Sequence, residues 1–262
     1  MNKNQPNLLI AFAIVITLFA LQILIGAGFY DAGIIFKYGD PQSSVISVLS
    51  TGIIITASMH FTGLTYPTLF HSSINSVSST VAVLFPPIFI VILGAMWWFV
   101  DFISFIALFM PEDKASLDML NRMMSSGFIT IIAICVIAPL LEEMLFRGII
   151  LRGFLSHYSP KKSIILSALL FGIFHLNLYQ IPAAFFLGCF FGGLYYFSRS
   201  LWPSIFAHAI YNGGIYMLSM NNTNEFNSFI TNIITFIVSL CGILLLARIF
   251  NIKLNLYIRK LD

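Results

Sequence analysis

A chain of 262 residues that is 59% hydrophobic, only 9% charged and formally +3 at pH 7 is not composed like a soluble domain, in which about a quarter of the residues carry charge. Its long unbroken apolar stretches make helices the spanning element, because hydrocarbon offers no partner to an unpaired backbone group, and the ~10-residue alternation of an outer-membrane barrel is absent. The basic residues are scattered over loops rather than gathered in one patch, so nothing points to nucleic acid as a partner.

The first predicted span, 8–29, exceeds the roughly 7–15 apolar residues of a signal peptide and is read as a retained helix, with a signal sequence as the alternative. Residues 30–44, with Asp31, Gly33, Lys37, Gly39, Asp40 and Pro41, have loop composition. A second span, 45–64, carries Ser47, Ser50, Thr51, Thr56, Ser58 and His60, the hydroxyl-rich make-up of a helix that faces protein. The serine-rich, nearly uncharged stretch 65–80 is a loop or an interfacial helix. The run 81–110 is longer than the ~20 residues one span needs, and Pro86 and Pro87 offer a start for its helix. Residues 111–126, with Glu112, Asp113, Lys114, Asp118 and Arg122, form the most soluble-looking loop.

The fourth span, 127–150, is followed by a basic loop, 151–162, with Arg152, Lys161 and Lys162. Span five covers 163–178. Span six, 182–197, opens at Pro182 and holds Gly188 and Gly192, a small-xxx-small pair that lets helices approach closely. Span seven opens at Pro203. A polar loop at 221–227 precedes the eighth span, 229–249, and a basic tail. Cys135, Cys189 and Cys241 lie far apart in apolar runs without a CxxC spacing, which argues against a disulfide framework or a thiolate metal site.

The fold class that follows is all-α: a polytopic membrane helix bundle of about eight transmembrane helices, without internal repeat or separate soluble domain. Eight spans put both termini on one side. With that side cytoplasmic, Lys3, Arg152, Lys161, Lys162, Arg199, Arg248, Lys253, Arg259 and Lys260 lie inside, and Lys37, Lys114 and Arg122 outside. The positive-inside rule supports that orientation. The basic loop after the fourth span then sets the charges of that span toward the cytoplasmic half.

Those charges are the chemical centre of the sequence. Glu142, Glu143 and Arg147 sit within six residues of an apolar run, and an ionisable residue at membrane depth is expensive and a candidate functional site. On a helix Glu143 and Arg147 share a face and can pair. Glu142 points roughly 100° away and must find another partner, stay protonated or work. Further along, Phe171 and His175 are one turn apart, and so are His208 and Asn212. If the helices converge, the carboxylate can take a proton from water, one imidazole can position that water, and the other imidazole with an amide NH₂ can donate to a developing oxyanion.

The series Glu142-Glu143-x-x-x-Arg147, Phe171-x-x-x-His175 and His208-x-x-x-Asn212 resembles the CPBP family, the CAAX proteases and bacteriocin-processing (Abi) membrane proteins. The likeness covers roughly 127–220, between N-terminal helices and loops (1–126) and a last helix with its basic tail (221–262). It implies an intramembrane endopeptidase acting on a membrane-associated peptide or protein substrate, lipidated or not, with membrane lipid around it. By motif position Glu142 is the general base and His175 its partner in holding the water. His208 and Asn212 form the oxyanion hole, and Glu143, Arg147 and Phe171 are structural support. No cofactor is favoured. The sequence lacks the HExxH zinc signature, but Glu142, His175 and His208 could supply three zinc ligands from three helices, so a zinc-dependent version of the same protease is an alternative.

Two other classes compete. A non-enzymatic protein conferring bacteriocin self-immunity, or a scaffold, would not need all four polar residues. A transporter would be expected to show inverted repeats. His60, His71 and His157 match no motif, and Asp101 receives no role. Modest size and simple loops suit a bacterial inner (cytoplasmic) membrane with both termini cytoplasmic.

Overall fold

The structure, a computed structural model, describes residues 4–37, 39–109, 127–220 and 229–258, together with Lys114, Asp118 and Arg122. Most of the loop expected at 111–126, the loop at 221–227, Lys3 and the end of the basic tail lie outside the described residues. Among those described there is no strand, and eight long helices and one short one run in the predicted order. They are α1 (Leu8–Asp31), α2 (Ser44–Thr62), α3 (Tyr66–Phe70), α4 (Val77–Ala107), α5 (Phe128–His157), α6 (Pro160–Phe174), α7 (Gln180–Ser198), α8 (Trp202–Met220) and α9 (Phe229–Ile258).

The protein is an all-α polytopic bundle, and among the described residues six of its helices are long and apolar enough to cross a membrane. The two that fall short have different reasons. α6 has 15 residues, about 22 Å of rise against a hydrocarbon core of about 30 Å. α8 has the length but spends it on Ser204, His208, Asn212, Gly213 and Gly214. Outward faces are apolar, as in Leu9, Ile16, Ile23, Ile234 and Leu244. Exposed apolar area on this scale suits lipid rather than water.

Local chemistry sets the helix ends and corrects several expectations. Pro86 and Pro87 do not start their helix: α4 begins at Val77, where the Ser76 side chain accepts from the Ser79 amide, and runs on through both prolines. Prolines inside a membrane helix are tolerated where neighbours re-satisfy the freed carbonyls. The basic loop at 151–162 is largely helical, because α5 continues to His157 and α6 starts at Pro160, with proline in its first turn. The basic tail begins as helix too, since α9 extends to Ile258. Within 65–80, α3 is closed by a reciprocal cap between Thr65 and Thr68. Asp101 accepts from the Asn232 side-chain amide (2.8 Å), tying α4 to α9.

α5 is the hub. All eight residues of its segment Met144–Leu151 are buried, Arg147 included. Leu145, Phe146, Ile150 and Phe154 pack against Ala11, Val15 and Leu18 of α1 and Leu170 and Phe171 of α6. Met144, Ile149 and Leu151 pack on Ile55, Tyr195 and Ile205. The second half of the core joins α4, α7, α8 and α9 through Ile88, Ile92, Phe191, Tyr211 and Leu246.

The ends of the bundle can be told apart. At one end His157 Nε2 donates to the Gln5 carbonyl (3.0 Å), Arg152 Nη1 to the Thr68 carbonyl (2.8 Å) and the Ser72 amide to the Arg199 carbonyl (2.9 Å). Phe197 stacks on Phe250 there, 4.7 Å between centroids, bringing the C-terminal part of α9 to the same end. The α1–α2 connection and Phe128 belong to the other end.

The small pair Gly188/Gly192 packs within the chain. A Cβ on Gly188 would meet Ala168 and Phe171 of α6 at 3.1–3.2 Å, and one on Gly192 would meet Ile164 at 3.2 Å. Gly188→Leu is therefore expected to force α7 from α6 and to destabilise by about 1–3 kcal/mol or more, read as a lower melting temperature of the detergent-solubilised protein.

Candidate active site

The three motifs meet around α5. That helix is not uniformly α: it passes through π-helical segments at Ala133–Ile137 and Met144–Leu151, on either side of the α-helical Ala138–Glu143. Pro139 gives a physical reason for the first. It has no N–H to donate, and its ring crowds the carbonyl four residues back. The Ala138 amide reaches to Ala133, one residue beyond the α-helical acceptor. Pro139, next in that register, has nothing to offer the Ile134 carbonyl. Asn212 of α8 supplies the missing donor: its Nδ2 donates to Ile134 O at 2.8 Å. One of the two amide hydrogens of Asn212 thus holds a helix bulge, a feature common at functional sites, and one remains.

Glu143 and Arg147 form the pair the spacing predicts. Arg147 Nη1 donates to Glu143 Oε1 at 2.8 Å, with both side chains 0% exposed. Nη2 donates to the Gly188 carbonyl at 3.2 Å. The guanidinium lies over the Phe171 ring (4.3 Å) and near that of Phe191 (5.3 Å), where cation–π attraction offsets part of the lost hydration. Glu143 Oε2 and Arg147 Nε have no partner among the described residues.

His208 joins this pair rather than standing apart from it. Its Nδ1 donates to Glu143 Oε1 at 3.0 Å, and its ring stacks on Phe191 (5.1 Å between centroids). An ionised Glu143 can only accept, so the proton belongs on Nδ1. Nε2 is then the nitrogen turned toward Glu142, 3.8 Å from its Oε2. That distance is too long for a hydrogen bond and is the span over which a bridging water is considered. Glu142 Oε2 itself has no hydrogen-bond partner among the described residues, although the side chain is only 19% exposed.

His175, expected inside a span over 163–178, lies at the C-terminal cap of α6, one position past its last residue, Phe174, and Leu176 turns to φ +50° immediately after. Its Nδ1 donates to the Phe171 carbonyl at 2.9 Å, satisfying one of the acceptors a helix end leaves open. Its Nε2 therefore carries the lone pair. No hydrogen bond joins His175 to Glu142 among the described residues. Among the described residues no group of three or more His, Cys, Asp or Glu side chains is placed to hold a metal ion.

A cavity of about 560 Å³ reaches Glu142. Its apolar wall is α5 (Ile134, Ile137, Leu141), and its polar wall comes from the first two helices and their connection (Gln22, Asp40, Ser43, Ser47, Thr51). Sequence reading missed that polar wall, and also Phe191 and the Gly188 carbonyl. The hydroxyl-rich second span was the available signal for the wall. For Phe191 and Gly188 there was only their place in the tightly packed Gly188–Gly192 turn.

Residues 124–214, about a third of the chain, match the model of a family described as Type II CAAX prenyl endopeptidase Rce1-like. The matched stretch spans all three motifs and corresponds to the family resemblance read from them. No curated protein and no solved structure matches the chain.

Proposed function

We propose that this integral membrane protein, whose residues 124–214 carry an Rce1-like segment, is an intramembrane endopeptidase. Its substrate is a membrane-associated peptide or protein, which the cavity beside Glu142 admits. The observation that carries the reading is the largely buried carboxylate oxygen of Glu142, without a hydrogen-bond partner among the described residues, that lies 3.8 Å from His208 Nε2 on a residue that lines the cavity.

In the proposed reaction Glu142 takes a proton from a water molecule as the water oxygen attacks the scissile carbonyl carbon. His175 accepts that water's other hydrogen at Nε2, which its Nδ1–H bond to Phe171 leaves free. The carbonyl π electrons move to oxygen. His208 Nε2–H and the second amide hydrogen of Asn212 donate to the oxyanion. The C–N bond then breaks, and Glu142 returns its proton to the departing amine. Glu143 and Arg147 bind no substrate; they fix the His208 ring. In this reaction His208 donates from both ring nitrogens, Nδ1–H to Glu143 and Nε2–H to the oxyanion. The reading places both termini in the cytoplasm, supported by the basic end of the bundle.

The test compares peptide termini in membranes of cells carrying the native chain or Glu142→Gln at equal abundance. Termini present with the native chain and missing with the variant are the expected result, and cleavage of such a substrate by purified protein should persist in a strong chelator. Identical termini would favour a scaffold or self-immunity protein, and chelator loss would favour zinc.

A further inference from the structure

The cavity has a direction. Glu142 is midway along α5, with roughly 20 Å of helix on either side of it. Toward Phe128 the helix wall is open: Ala133, Ile134, Ile137, Ala138 and Leu141 line the cavity, and the α1–α2 connection, with Lys37, Asp40, Pro41 and Ser43, lines it too. Toward His157 the helix is closed, because every residue of Met144–Leu151 is buried. The closed end is the one where Gln5 meets His157, Thr68 meets Arg152 and Ser72 meets Arg199. It also carries Lys161 and Lys162 at the start of α6 and, through the Phe197–Phe250 stack, Arg248. The cavity end has Lys37 on the α1–α2 connection, between Asp31 and Asp40, and Lys114 and Arg122 in the sequence between α4 and α5, among Glu112, Asp113 and Asp118. Basic residues flanking spans stay in the cytoplasm.

We infer that the peptide reaches Glu142 from the non-cytoplasmic face, so that the substrates are exported peptides or the outer juxtamembrane segments of membrane proteins. The inference rests on the endopeptidase reading for the word substrate, but the direction of the opening stands on charge and packing alone. The walls fit an extended chain. The hydroxyls and amide of Gln22, Ser43, Ser47 and Thr51 can bond a peptide backbone, and Ile134, Ile137 and Leu141 can take its side chains. A lipid-modified tail offered from the cytoplasmic side would meet the packed half of α5.

Thiol labelling tests this. With Cys135, Cys189 and Cys241 replaced by alanine, single cysteines are placed in the cavity (Ser43→Cys, Ser47→Cys), beside its mouth (Gln42→Cys) and at the opposite end (Ser159→Cys). Intact cells are then treated with a charged, membrane-impermeant maleimide. Ser43→Cys, Ser47→Cys and Gln42→Cys should label at least tenfold faster than Ser159→Cys, which should react only after permeabilisation. The reverse pattern overturns the inference. So does labelling at Gln42→Cys with none at a folded, membrane-inserted Ser47→Cys, since the cavity would not then open there. Gln42→Cys reports the face even where a lining variant fails to fold. The labelling reads the opening whether or not the chain cuts peptides, so failure of the endopeptidase reading appears separately, in the Glu142→Gln termini. Where cleavage is present, maleimide on Ser47→Cys should block it and maleimide on Ser159→Cys should not; cleavage unaffected by a fully labelled Ser47→Cys would overturn the route.

Discussion

Arg147→Leu is expected to leave little folded protein in the membrane. The side chain is wholly buried, bonded to Glu143 and to the Gly188 carbonyl and packed against two aromatic rings. Its loss strands the Glu143 carboxylate with His208 as its one remaining partner among the described residues. Breaking a buried pair from one side costs about 3–5 kcal/mol, because the surviving charge stays buried and uncompensated. That is a large part of the stability a domain has. Arg147→Lys keeps the charge but not the planar fork that reaches Glu143 and Gly188 together, so an intermediate loss is expected. The double change Glu143→Gln with Arg147→Leu removes both charges and should recover part of what Arg147→Leu alone loses. Thermal unfolding of the four proteins in one detergent measures all of this. Equal melting temperatures for Arg147→Leu and the native chain would mean that Glu143 is not held as an ion.

Glu142→Gln should behave in the opposite way. The residue neighbours Glu143 in sequence but lies on the cavity side, and among the described residues its Oε2 has no hydrogen bond to lose. The variant should melt within about 0.5 kcal/mol of the native protein, as substitutions away from buried networks do. Peptide cleavage should fall by about 10²–10⁴-fold, the range a positioned general base supplies, or about 3–5 kcal/mol of transition-state stabilisation. Rates measured on purified, equally folded protein decide it. A variant that cleaves at the native rate would remove Glu142 from the chemistry. Together the two substitutions separate adjacent glutamates into one that holds the fold and one that does the work.

The pair Glu143–Arg147 was legible because it depends on one number, the four-residue spacing, and the structure keeps it. The course of the long apolar helices was legible for a similar reason, since hydrophobic runs of that length have few other uses. What was not legible depended on register and on distant partners. The π segments of α5 leave the apolar pattern unbroken, and Pro139 was their only local mark. The tie between Asn212 and the Ile134 carbonyl needs that bulge to be known first. His208 read as an oxyanion donor apart from the ion pair, yet its Nδ1 is bonded to Glu143 and its ring stacks on Phe191, contacts between distant helices that no motif spacing encodes. Pro86 and Pro87 misled because a capping serine ten positions earlier had already started the helix. The polar cavity wall comes from helices in the half of the chain that carries no motif, and amphipathic lining with hydroxyls looks in sequence like ordinary interhelical contact.

The interrupted winding of α5 also makes its length in residues an adjustable quantity. Each π segment accommodates one residue more than the α-helix it interrupts, so the helix is in effect an α-helix that has absorbed insertions without lengthening the bundle. Deleting one residue from Ala133–Ile137 would let the segment close into α-helix and leave the two halves of α5 in phase, with Glu142 still on its cavity and Phe128 still toward lipid. The loss would be local, the bulge that leaves the Ile134 carbonyl to Asn212. Such a deletion should therefore be tolerated better than one from a purely α-helical stretch of a packed helix, where a missing residue turns the flanks against each other by about 100°.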